Sequence, residues 1–72
     1  MPPLPVLSGD DFVRAIARLG YSLDHMTGSH MILRNPSGRR LSVPRHKELD
    51  RGTLRALIRQ AGLTVEEFLS LP

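Results

Sequence analysis

The sequence predicts an α+β sandwich in which helices cover one face of a three-stranded antiparallel sheet. Apolar residues recur with a helical period over 9–19 and again over 51–61, and between them the period falls to two. The stretches Thr27-Gly28 and Asn35-Pro36-Ser37-Gly38 are too short for parallel crossovers. The strands therefore form a meander in the order αβββα, closed by a last short helix.

Residues 1–7, with three prolines, form an extended lead-in, and 8–72 form the single domain. Ser8 is placed to cap the first helix, with Asp10 and Asp11 at the positive end of its dipole. Phe12, Ile16 and Leu19 give it one apolar face, and Gly20 ends it. Tyr21, Leu23 and His25 then alternate with Ser22, Asp24 and Met26 as a first strand. Ser29 to Arg34 is the second; Met31-Ile32-Leu33 is apolar on both parities, which marks it as central. Arg39 to Val43 is the third, ended by Pro44, which has no ladder donor. Asp50 caps a helix whose Leu54, Leu57, Ile58 and Ala61 share a face, while Arg51, Arg55 and Arg59 form a ridge. Gly62 stops it, and Thr64 with Glu67 makes a capping box for a short helix over about 65–70, flanked by Leu63 and Phe68 as a hydrophobic staple.

Composition narrows the function. The chain has no cysteine, which excludes a disulfide framework and a thiolate zinc site. No apolar run reaches the roughly 18–20 residues of a membrane span, and the start lacks a signal peptide's pattern, so the expected setting is cytoplasmic. The net charge of +3 is uneven. Acids and bases balance up to residue 38, whereas 39–59 carries seven Arg or Lys against two acids. Nine of the ten basic residues are Arg, whose planar fork suits phosphate, so a polyanionic partner is expected. For the Arg51, Arg55 and Arg59 ridge, a solvated helix face is the competing explanation.

Three histidines, at 25, 30 and 46, lack metal-ligand spacing, and no P-loop or dinucleotide fingerprint is present. No metal or cofactor is implied. Ser29 and His30 are sequence neighbours, but adjacent residues of a regular strand point to opposite faces and do not form a nucleophile–base pair. What remains is general acid–base work by imidazole, which titrates near neutrality. RNA cleavage without a metal needs a base for the 2′-hydroxyl, an acid for the 5′-oxygen and cations for the phosphate. His30 fits the first requirement and His46 is a second acid–base group or phosphate contact. On the residues alone a lone strand histidine such as His30 is more often a hydrogen-bonded structural residue than a catalytic one.

Ser8-Gly9, Leu19-Gly20-Tyr21, Gly28-Ser29-His30, Val43-Pro44-Arg45-His46 and the run Gly52–Leu63 with Glu66-Glu67-Phe68 resemble the HicA (YcfA-type) mRNA interferase toxins. The resemblance spans about 8–70 in the right order. It implies a double-stranded-RNA-binding-like fold, His30 as catalytic residue in an active-site turn with Gly28 and Ser29, and a HicB-type antitoxin as partner. Thr27 stands where relatives often carry a basic residue, which leaves phosphate contact to Arg34, Arg39 or Arg45. Arg40, Lys47, Arg51 and Arg55 complete the expected RNA-binding set. A metal-independent mRNA endoribonuclease toxin is the function this implies. The alternatives are a non-catalytic RNA-binding module of the same fold, or a degenerate toxin that only binds its antitoxin.

Overall fold

The computed structural model describes residues 3–72, so the first two residues of the expected 1–7 lead-in lie outside it. Helix α1 (Gly9–Ile16) runs into one 3-10 turn (Ala17–Leu19). Strands β1 (Ser22–Thr27), β2 (His30–Arg34) and β3 (Arg40–Pro44) follow, then α2 (Arg51–Gln60) and α3 (Val65–Leu69). The sheet order is β1-β2-β3 with both pairings antiparallel, as the meander requires. The fold is the α+β, double-stranded-RNA-binding-like arrangement expected.

The caps form as the residue types dictate. Ser8 Oγ accepts the Asp11 N–H at 3.0 Å while the Ser8 N–H donates to Asp11 Oδ2 at 3.1 Å, a capping box. Asp50 accepts the Thr53 N–H at 2.7 Å, and Thr64 and Glu67 make the second box. The last turn of the first helical segment tightens to three residues per turn. Leu19 thereby leaves the Phe12–Ile16 stripe and is 38 % exposed, not part of the buried face expected of it.

Phe12, Ile16, Leu33, Leu41, Val43, Leu54 and Ile58 form the heart of the core, with Met31, Leu57 and Phe68 around them. Phe12 and Phe68 stack with ring centroids 5.4 Å apart, joining the first helix to the last. The helices α1 and α2 pack over β3, which leaves β1 as an exposed edge. Leu23 and Met26 on β1 are 52 % and 42 % exposed for that reason.

Each strand differs from its expected bounds by one residue, β1 running Ser22–Thr27 where 21–26 is expected. Gly28 and Ser29 are both turn residues, so β2 begins at His30. Arg39 stays outside β3 because the Asn35 side chain takes its N–H at 2.8 Å, and Pro44 ends the strand from within, where no donor is required.

Gly9 fixes how α1 meets the sheet. A Cβ at this position would overlap the Pro44 carbonyl oxygen and lie 3.2 Å from Met31 Cε. The Gly9 N–H donates to the His46 carbonyl at 2.9 Å. Gly9→Ala should therefore destabilise by roughly 1–3 kcal/mol, as overpacking does. Gly52 is exposed on α2, and its added Cβ would meet only Asp50 Oδ1 at 3.4 Å. Gly52→Ala should raise stability by about 0.4–1 kcal/mol, since Gly52 has no positive φ and alanine lowers the entropy of the unfolded chain. Thermal melts of the two variants should move in opposite directions.

The cap carboxylates set an acid limit. The Ser8 backbone N–H holds Asp11 below the ordinary value of 3.8, and the Thr53 backbone N–H does the same for Asp50. A depressed native pKa contributes stability that is complete above the unfolded value and lost as pH falls through the native one. Tm should drop as pH falls below 3.8, and Asp11→Asn and Asp50→Asn should each lose less on acidification.

Candidate active site on the open sheet face

Strand alternation divides β2 between two environments. Met31 and Leu33 turn into the core, so His30, Ile32 and Arg34 turn to the face that no helix covers. Cross-strand register extends that face into three rows. Thr27 and His30 form the first, with Pro44 in register beside them but buried where α1 begins; His25, Ile32 and Ser42 form the second, and Ser22, Arg34 and Arg40 the third.

His30 lies at the exposed end of the central strand, directly after the turn. Gly28 takes a φ of 57°, the left-handed conformation that a two-residue hairpin needs and that glycine adopts without strain. The Arg45 N–H donates to the Ser29 carbonyl at 2.8 Å, tying the turn to the segment after β3. Arg45 Nε also approaches Asp10 Oδ1 at 3.4 Å. The sequence-distant Gly28-Ser29-His30 and Arg45-His46 pieces are thus adjacent. No hydrogen bond among the described residues joins the Ser29 and His30 side chains.

His46 holds α1 through its carbonyl, and its exposed side chain belongs to a segment that has already left the sheet. Asp50, held down mainly by the Thr53 N–H, also feels the His46 charge.

The first strand departs from the alternation expected of it. Leu23 pairs with Leu33, but His25 pairs with Ile32, so Asp24 is an extra residue in a β-bulge. The alternation had placed His25 on the same face as Leu23; the bulge moves it to the face of His30. The His25 Nδ1–H donates to Asp24 Oδ2 at 2.6 Å. Arg34 Nε lies 3.7 Å from the same oxygen. The Asp24 carboxyl is held below its ordinary value, first by the His25 hydrogen bond and then by the charges of Arg34, His25 and Arg40. Among the described residues, no group of three His, Asp or Glu side chains is placed to hold a metal ion.

The basic residues separate into several sets. Arg34 and Arg40 are a cross-strand pair on the open face. Arg45 and Lys47 are exposed beside the turn of His30 or just beyond it, and Arg51 begins α2 immediately afterwards. Arg39 instead donates to the Gln60 carbonyl at 2.9 Å and closes the end of α2. Arg55 and Arg59 line a hollow of about 250 Å³ with Ile58, Leu63, Thr64 and Val65, between α2 and α3 in the helix layer. The site residues that sequence reasoning passed over are Asp24 and His25. Their adjacency is visible in the sequence, but the bulge that turns His25 is not.

No described helix is long and apolar enough to cross a membrane. No curated protein matches the chain. Residues 9–63 match the family model described as the HicA toxin of bacterial toxin–antitoxin systems. That span runs from the glycine at the start of α1 to the residue after the glycine stop of α2, and it contains the whole sheet. The chain therefore belongs to the HicA toxin family, whose members imply a cognate antitoxin as partner.

Proposed function

We propose that the protein is a metal-independent mRNA endoribonuclease, the toxin of a pair whose antitoxin is of the HicB type, acting in the cytoplasm. The observation that carries this reading is the placement of His30 at the open end of β2, exposed and flanked by the Gly28–Ser29 turn and by Arg45. A histidine kept for structure would have its ring buried or hydrogen-bonded; the His30 ring is exposed and makes no side-chain hydrogen bond among the described residues. Family membership supports the same reading.

Cleavage proceeds by attack of the 2′-oxygen on phosphorus as the P–O5′ bond breaks, leaving a 2′,3′-cyclic phosphate and a 5′-hydroxyl. His30 transfers a proton at one of the two oxygens. Arg45, His46 and Lys47 bind phosphate beside the turn, and Arg34 and Arg40 bind it further along the face. Arg51 extends this basic surface at the start of α2. An acidic antitoxin surface that covers the same cations would block RNA by charge complementarity.

The test uses labelled RNA with chelator present. The native protein should cut, and His30→Ala should lose about 10²–10⁴-fold in rate, the range for removal of a general acid or base. RNA affinity should remain salt-dependent and close to that of the native protein, because phosphate contacts are intact. Binding by both proteins with cleavage by neither would assign the domain to RNA binding without catalysis.

A further inference from the structure

The open face carries a second imidazole. His25 pairs with Ile32 and Thr27 pairs with His30, in a ladder that is regular over these residues. His25 and His30 are therefore diagonal neighbours on one face, with Cα atoms about 7–8 Å apart. No helix covers either residue. The His25 side chain is 46 % exposed, so it is open to a bound strand.

The Asp24 carboxylate fixes the chemistry of His25. A carboxylate held below its ordinary pKa only accepts, so the Nδ1 of His25 carries the proton of their 2.6 Å bond. Nε2 is left as the free end, able to accept a proton in the neutral ring or donate one in the charged ring. The bulge is what makes both features possible: without Asp24 as the extra residue, His25 would face the helix side with Leu23. His46 has no comparable placement, since its chain has left the sheet.

We propose that His25, oriented by Asp24, is the second proton-transfer residue of the active site and works with His30 on a phosphodiester held between them. This rests on the ribonuclease reading above. One imidazole takes the proton of the 2′-hydroxyl as the 2′-O–P bond forms. The other gives a proton to the 5′-oxygen as the P–O5′ bond breaks, so no proton is lost or gained overall. Arg34 and Arg40, one and two strands away in the next row, bind the adjoining phosphate. Asp24 is a positioning residue, and it also offsets the repulsion between these two arginines.

The experiment is the pH dependence of RNA cleavage by the native protein and by His25→Ala, His25→Asn, Asp24→Asn and His46→Ala. The native profile should be bell-shaped, as for a paired acid and base. His25→Ala and His25→Asn should each lose one limb and about 10²-fold or more in kcat. His25→Asn retains a donor for Asp24, so loss of rate there separates proton transfer from structure. Asp24→Asn should lower kcat while leaving KM unchanged. Melting temperatures should stay near the native value, because the side chains of Asp24 and His25 are 41 % and 46 % exposed.

A His25→Ala protein that keeps both limbs and a kcat within about threefold of native would overturn the proposal. If His30→Ala were inactive in the same assay, the ribonuclease reading would still stand. Loss of a limb in His46→Ala in place of His25→Ala would also overturn it and move the second role to His46. A native protein that cuts no RNA would overturn both readings.

Discussion

The docking of α1 on the end of the sheet depends on the absence of a side chain at Gly9, where the helix backbone meets the carbonyl of Pro44. The backbone bonds that hold the segment after β3 lie around this approach. The approach lets the Gly9 N–H, an orphan donor at a helix start, bond the His46 carbonyl. The next backbone bond in that region ties Arg45 to Ser29. The Leu49 N–H then donates to the Leu7 carbonyl at 2.7 Å and closes the segment against the strand of chain that leads into α1. One missing methyl thus holds the turn of His30, the Arg45 loop and the first helix in register.

Much of this was legible in the residues because the signals are local. Ser8, Asp50, Thr64 and Glu67 cap the helices they were expected to cap, and a cap needs only a short side chain at the right offset. In β3 the alternation of Leu41 and Val43 with Arg40 and Ser42 marks the face that enters the core, whereas β2, apolar on both parities, left open which of its residues do. The interactions that escaped are those that depend on tertiary contact. The Phe12–Phe68 stack joins residues far apart in the chain, and Arg39 reaches Gln60 across the fold. Leu19 had the spacing of a core residue, yet a 3-10 turn changes the angle per residue and carries it outward.

The candidate site divides along the same line. Gly28, Ser29 and His30 are contiguous, and a glycine in a two-residue hairpin turn is a local requirement. The basic residues are a different matter, because charge in a sequence carries no direction. Arg39 is spent on a helix end, and Arg55 and Arg59 belong to the helix layer, while Arg34, Arg40 and Arg45 lie on or beside the face of His30. A count of positive charges between 39 and 59 therefore overstates what one bound strand can meet.

The bulge at Asp24 shows how a small backbone change assigns chemistry to a surface. Strand side chains have a period of two, so one inserted residue sends every later side chain to the opposite face. Here it divides β1: Leu23 stays opposite Leu33 on the helix side, and His25 emerges opposite Ile32 on the open side. The same insertion sets a carboxylate between an imidazole and the Arg34 guanidinium. Like charges directly opposite on a sheet are destabilising, and Arg34 faces Arg40 in that way. Neither arginine is needed by the core, whose residues lie on the other side of the sheet. Two opposed cations and two imidazoles thus share the uncovered side of the sheet, with the bulge carboxylate set between His25 and Arg34.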